Sequence, residues 1–284
     1  MEYRNLTLDD FQEEAIGHLD GGRSVLVSAP TGTGKTLIAD FLVERALLAG
    51  KQVIYTAPVK ALSNQKYRDY CRIHGEEKVG LVTGDLVIRR DAPCLVMTTE
   101  ILRNILLTGE SLGDLAAVIL DEIHFLDDRE RGTVWEEVLI YLPSTIQVLG
   151  LSATLANLDV FAEWLGAVRE AEVKTIKQPE RSVPLHVMLA NHQTGLVDPK
   201  EFEIAWQAWK KQADRDTRPG QRSGRGDKGR GGDRRGGGGR RGGGRDGQRR
   251  DRPTRHNQIF EMLRGEMTPY LYFVFSRRSA EACA

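Results

Sequence analysis

Between Ser24 and Gly166, short apolar, β-branched runs alternate with longer stretches of helical periodicity. The runs are SVLVSA (24–29), QVIYTA (52–57), VGLVTG (79–84), CLVMTT (94–99), AAVILD (116–121) and IQVLGLSA (146–153). Most are near-continuously apolar, the pattern of strands buried on both faces. Between them, Ile38, Phe41, Leu42 and Ala46 share one helical face, as do Val134, Val138 and Tyr141. Strands alternating with helices at this spacing predict an α/β fold: a parallel sheet flanked by helices on both sides. No internal repeat of fixed period is visible.

Beyond Gly166 the pattern loosens. Residues 172–189 read as extended segments interrupted by Pro179 and Pro184. EFEIAWQAWKKQA (201–213) reads as an amphipathic helix whose Phe202, Ala205, Trp206 and Trp209 share a packing face. Residues 218–252 break all periodicity. They hold twelve arginines and one lysine against four aspartates, a local net charge of +9, with 14 of the chain's 30 glycines. The whole chain is neutral, with 40 basic and 40 acidic residues in 284, so the remainder carries −9. Such a segment cannot bury enough apolar surface to offset its ordering entropy and is expected to be disordered. Downstream, NQIFEMLRG (257–265) reads as a helix and LYFVFS (271–276) as a buried strand.

The composition excludes a wholly disordered or collagen-like chain. No apolar run approaches the roughly 18 residues that span a membrane, and the acidic start MEYRNLTLDDFQEE lacks the apolar region of a signal peptide. Three cysteines without metal-like spacing (Cys71, Cys94 and Cys283) suit a reducing, cytoplasmic setting.

The strongest chemical signal is APTGTGKT (29–36), which follows one strand run and opens a helix. Gly32 and Gly34 let backbone N–H groups approach phosphate oxygens, and the helix N-terminus adds partial positive charge. Lys35 supplies a cation to the β- and γ-phosphates, and the Thr36 hydroxyl can ligate Mg²⁺. Ala29 stands where the strict pattern has its first glycine; Pro30, Thr31 and Thr33 complete the loop. The second signal is VILDEIH (118–124), an apolar strand delivering Asp121 and Glu122 at the strand end where ligands bind in open parallel sheets. Asp121 is expected to hold Mg²⁺ and Glu122 to orient and deprotonate an attacking water.

Together these segments resemble a DExH-box helicase of superfamily two. APTGTGKT, DEIH (121–124) and SAT (152–154) resemble its motifs I, II and III. FQEEAI (11–16) resembles the segment that reads adenine, which implies Gln12 with Phe11 as packing neighbour. APVKALSNQKY (57–67), TGD (83–85) and TTEILRN (98–104) resemble its nucleic-acid-contacting motifs. That resemblance implies backbone contacts from Pro58, Lys60, Gly84, Asp85, Thr98 and Arg103, and a coupling role for His124, Ser152 and Thr154. HFLDDRERGTVWEE (124–137) resembles the superkiller (Ski-like) branch of RNA helicases, and FVFSRRSAEACA (273–284) the opening of a second RecA-like domain.

The implied organisation is a first RecA-like ATP-binding domain at 1–170, a connector at 171–217, the disordered Arg/Gly segment at 218–252, and the start of a second RecA-like domain at 253–284. The implied activity is ATP hydrolysis with Mg²⁺ coupled to RNA unwinding or translocation, with single-stranded RNA or an overhang duplex as partner. The Arg/Gly segment is read as a sequence-independent RNA-binding arm, against a solubilising linker. A DNA-directed helicase of the related repair branch is the alternative within the enzyme class. A non-catalytic RNA-binding module is the alternative outside it, disfavoured because Lys35, Thr36, Asp121 and Glu122 are all intact. The 284 residues hold no counterpart of motifs V and VI, so alone they are expected to bind ATP·Mg²⁺ weakly and to hydrolyse almost none.

Overall fold

In the computed structural model, which describes residues 2–128, 131–153, 157–181, 183–191, 195–217 and the isolated positions 259, 261 and 263, the six apolar runs are neighbouring strands of one sheet. The chain starts with a two-strand ribbon, β1 (Glu2–Tyr3) and β2 (Leu6–Thr7), and helix α1 (Asp10–Asp20). There follow β3 (Ser24–Ser28), α2 (Thr36–Leu48), β4 (Gln52–Ala57), α3 (Lys60–His74), β5 (Val79–Val82), β6 (Val87–Ile88), β7 (Cys94–Thr98), α4 (Thr99–Thr108) and β8 (Leu115–Leu120). A 3₁₀ turn (Ile123–Asp127), α5 (Gly132–Tyr141), β9 (Gln147–Ser152), α6 (Leu158–Arg169) and β10 (Val173–Lys177) complete this unit.

The strand order is β10-β3-β9-β8-β4-β7-β5-β6. The six runs fill the inner positions, and every pairing is parallel except that of the edge hairpin β5–β6. Period-two alternation divides the strand side chains between two cores. Val25, Val27, Val53, Tyr55, Ala117, Ile119, Leu149 and Leu151 pack with Ile16 and Leu19 of α1 and with Ile38, Leu42 and Ala46 of α2. Leu26, Ile54, Val118, Leu120 and Val148 pack with Leu102, Trp135, Val138 and Leu165 from α4, α5 and α6. Parallel strands covered on both faces have no solvated side to mark with polar residues, which is why the runs read as continuous.

Three details differ from the sequence expectation. Tyr141 is 53% exposed, because it is the last residue of α5 and the chain turns away at Leu142 and Pro143. The stretch 171–217 is divided: β10 joins the sheet beside β3, and the compact units are residues 1–184 and 185–284. In α7 (Pro199–Thr217), Phe202 and Trp206 stack at 6.3 Å and 9°, yet Trp206 is 47% exposed. Asp198 caps α7: its Oδ1 accepts from the N–H groups of Lys200 (2.7 Å) and Glu201 (3.0 Å). The second unit also holds a hairpin, β11 (Leu189–Asn191) with β12 (Gly195–Val197). The Arg/Gly segment 218–252 and the strand expected at 271–276 lie outside the described residues, as does most of the helix expected at 257–265. Among the described residues, no helix is long and apolar enough to cross a membrane.

Candidate functional site: a phosphate loop facing two carboxylates

The loop Ala29–Lys35 leaves the C-terminal end of β3 and turns into α2. Its two glycines have φ of +87° (Gly32) and +82° (Gly34), backbone that side chains with a Cβ rarely adopt. A Cβ on Gly34 would also lie 2.7 Å from Nε2 of Gln12. The loop is braced from within and from three other parts of the chain. The N–H of Ala29 donates to Ser152 O of β9 (3.2 Å), and Thr33 Oγ1 donates to Pro30 O (2.8 Å). Gln12 of α1, 3% exposed, donates from Nε2 to Gly34 O (3.0 Å) while its Oε1 accepts from the Asp9 N–H (2.9 Å). Arg181, four residues past β10, donates to Thr31 O (3.4 Å). Phe11 is buried beside Gln12 in the core of α1 and α2.

Lys35 folds back over this loop, donating to the carbonyls of Ala29 and Pro30, the latter at 3.0 Å. Burial lowers its pKa, against the pull of Glu122 and Asp121. Lys35 follows β3 and the two acids follow β8, strands separated in the sheet only by β9. Asp121 continues β8. Its N–H donates to Thr56 O (3.0 Å), its Oδ1 accepts from the Glu122 N–H (2.9 Å), and its Oδ2 accepts from the Tyr55 hydroxyl. Glu122 is held in the left-handed region at φ 53°, ψ 45°, a strained backbone for a non-glycine residue. Burial, then the neighbouring Asp121, raises its carboxyl pKa, while His124 and Lys35 oppose the shift. His124 Nδ1 lies 3.2 Å from Glu122 Oε2.

A cavity of about 220 Å³ is lined by Thr36, Tyr55, Ala57, Leu62, Gln65, Lys66, Asp69 and Asp121. A hydroxyl and a carboxylate facing one polar space are hard oxygen donors of the kind Mg²⁺ takes, with the rest of its shell left to water and phosphate. Thr36 and Asp121 thus fit a divalent cation as donors beside the phosphate loop.

The residues expected at nucleic acid lie on neighbouring strand ends. Ala57 and Thr98 are register partners, so Pro58 follows β4 beside the end of β7. Both Pro58 and Thr98 are buried. Lys60, the first residue of α3, pairs with Asp85 at 2.9 Å, and Gly84 lies against the same ammonium. Lys60 lowers the Asp85 pKa. Arg103, one turn into α4, lies 3.7 Å from Glu137 of α5. Ser152 ends β9 beside Ser28, its Oγ buried and without a hydrogen-bond partner among the described residues. Thr154 lies outside them. Sequence reasoning missed Tyr55, Lys66 and Arg181. Tyr55 sits inside a strand run where it reads as one more apolar residue, and nothing in the sequence ties Arg181 to residue 31.

This geometry is that of a RecA-like nucleotide-binding domain. The family model of the DEAD/DEAH box helicase matches residues 9–161, and the chain belongs to that family. It is 40% identical over 294 aligned residues to the probable helicase HelY of Mycobacterium tuberculosis, covering 97% of this chain and 30% of that protein. It is 46% identical over 181 residues to the antiviral helicase SKI2 of Saccharomyces cerevisiae, covering 63% of this chain and 14% of that one. The human superkiller complex protein 2 is 47% identical over 178 residues, covering 62% and 14%. The chain thus spans less than a third of the length of the curated relatives it matches. Among solved structures, the DUF1998 helicase MrfA bound to DNA and AMPPNP shares the fold, with a TM-score of 0.52 at 20% identity over 60% of this chain and 27% of that one.

Proposed function

We propose that this chain is the ATP-binding portion of an ATP-dependent RNA helicase of the Ski2-like branch. The observation that carries the reading is the convergence of two residue pairs, Lys35–Thr36 and Asp121–Glu122, from distant parts of the sequence. Thr36 and Asp121 line one cavity, and Lys35 and Glu122 are their immediate neighbours in the chain.

In this reading, the loop N–H groups between Gly32 and Thr36 receive the phosphates, and Lys35 leaves the Ala29 and Pro30 carbonyls to pair with them. Gln12 and Phe11 adjoin the adenine. Thr36 and Asp121 would hold Mg²⁺, which would offset negative charge on the phosphates. Glu122 accepts a proton from the water that attacks the terminal phosphate. His124 and Ser152, with Thr154, connect this site to the nucleic-acid edge. There Lys60, Gly84, Asp85 and Arg103 meet a sugar–phosphate backbone while the buried Pro58 and Thr98 shape the strand ends behind them, a mode of contact that carries no sequence information and suits a translocating motor.

RNA is favoured over DNA by the RGTVWEE run, by the Arg/Gly segment, and by relatives such as the Arabidopsis thaliana DExH-box ATP-dependent RNA helicase DExH11, 48% identical over 179 residues. Among the described residues Cys71 and Cys94 are free thiols, which suits a cytoplasmic setting. The test compares stimulation of ATP hydrolysis by single-stranded RNA and single-stranded DNA in the complete protein. Greater stimulation by RNA is expected; greater stimulation by DNA would favour the repair-type branch.

A further inference from the structure

We propose that Tyr55 is a positioning residue that holds Asp121 for the divalent cation, and that Lys66 fixes Tyr55 in place. The proposal rests on the reading of Asp121 as a metal-holding residue and adds to it a support that comes from β4 and α3.

Asp121 is gripped by β4 at two points. Its N–H donates to Thr56 O at 3.0 Å, and its Oδ2 accepts from the Tyr55 hydroxyl. The other oxygen, Oδ1, accepts from the Glu122 N–H at 2.9 Å. With both oxygens and the backbone engaged, the carboxylate plane cannot rotate freely about its side-chain torsions. Each oxygen keeps lone-pair capacity for a cation or its water. A metal ligand whose orientation is set by outer hydrogen bonds loses less freedom on binding, and removing such a partner commonly costs about 10–100-fold in metal affinity.

Tyr55 is itself held. It is 2% exposed, and its ring meets Tyr70 of α3 edge-on at 5.7 Å and 85°. The Lys66 ammonium lies 5.2 Å from the Tyr55 ring centroid and 4.7 Å from that of Tyr70. The same ammonium pairs with Asp40 at 3.3 Å, both side chains being nearly buried. Asp40 lies one turn after Thr36 on α2, so the two share a helix face. Thr36, Tyr55, Lys66 and Asp121 all line the one cavity. The chain of contacts therefore runs from the helix that carries Thr36, through Asp40, Lys66 and Tyr55, to Asp121. A nearly buried lysine kept against two aromatic faces and a carboxylate, in the wall of that cavity, is more than generic packing requires.

The test is equilibrium binding of a fluorescent ADP to the 284-residue chain, in EDTA and across a Mg²⁺ titration, for wild type, Tyr55→Phe, Lys66→Gln and Asp121→Asn. Phenylalanine keeps the ring that Tyr70 and Lys66 touch and removes only the donor. Tyr55→Phe is expected to leave Mg²⁺-free affinity within about twofold. It should raise the Mg²⁺ concentration at half-effect about tenfold, as loss of an orienting hydrogen bond to a ligand does. Lys66→Gln should shift that midpoint in the same direction by less. A purely structural role would instead weaken binding equally with and without Mg²⁺. An unchanged midpoint in Tyr55→Phe, with a shifted one in Asp121→Asn, overturns the proposal while sparing the role of Asp121. An unchanged midpoint in Asp121→Asn overturns the underlying reading. Should Tyr55→Phe fail to fold, Lys66→Gln decides alone, and an unchanged midpoint there overturns the proposal.

Discussion

Glu122 carries two burdens at once: a left-handed backbone and a carboxyl pushed toward its neutral form by burial and by Asp121. Both are strains that a site tolerates because the surrounding sheet fixes it. The folded carboxyl keeps its proton to higher pH than the unfolded one, so folding takes up protons in the window just above the ordinary glutamate range. Stability therefore falls as pH rises through that window. Glu122→Gln is expected to remove this decline: it matches wild type below the window and is the more stable above it. Urea denaturation at a series of pH values measures the difference, and parallel curves for the two proteins would remove the assigned burden. In the complete protein the same variant should keep nucleotide affinity and lose turnover, because the side chain acts on water and not on ground-state phosphate charge. Much of this was legible in the sequence. The glycines of the loop and the paired acids at a strand end are chemical types at fixed spacing. Tyr55 was not legible, because a tyrosine in a β-branched run looks like core until its hydroxyl is seen to meet Asp121.

Among the elements, the 3₁₀ turn and α5 show how a sequence signature can be a packing requirement. Gly132 opens α5 with its N–H donating to Asp128 O at 2.7 Å, and a Cβ there would collide with the Leu126 carbonyl. Phe125 of the turn stacks on the fully buried Trp135 at 5.8 Å and 16°, and the Arg131 guanidinium lies 5.3 Å from the Phe125 ring. The RG-x-VW pattern thus seats the turn that follows Asp121 and Glu122 onto α5. Gly132→Ala is expected to cost about 1–3 kcal/mol, the usual scale for forcing extra volume into a packed site. Thr133→Ala, at an exposed neighbour, should fall within about 0.5 kcal/mol of wild type. Thermal melts of the two variants make the comparison, and an undisturbed Gly132→Ala would contradict the close approach. The helix faces were readable from 3.6-residue periodicity, except at the end of α5, where Tyr141 escapes burial. The edge strand β10 was not separable from a connector. VKTIK is short and half polar, and only its pairing with β3 makes it a strand of the sheet.

For the molecule as a whole, charge distribution matters more than the neutral total. The Arg/Gly stretch concentrates +9 in 35 residues, and an RNA-binding arm of that charge would act by displacing counterions from phosphates. If about five phosphates are engaged, deleting residues 218–252 should make the slope of log affinity against log salt shallower by roughly 3.5, at about 0.7 per phosphate of a single strand. Sequence preference should not change. A deletion variant with unaltered affinity and slope would leave the stretch a linker. The parallel sheet and both helical layers followed from alternation alone, because buried strands and amphipathic helices are each periodic. The limits of the two compact units did not, since they depend on which edge strand the chain adds last.

The central claim is that Lys35, Thr36, Asp121 and Glu122 form one site for a nucleoside triphosphate with its divalent cation. Calorimetric titration of the chain with a non-hydrolysable ATP analogue in Mg²⁺, for wild type and Lys35→Ala, tests it most directly. The account predicts saturable one-to-one binding by wild type, weakened at least tenfold in Lys35→Ala, as expected when a cation is withdrawn from phosphate (a difference of about 1.4 kcal/mol). Equal affinity in the two proteins, or no binding by a folded wild-type chain, would contradict it.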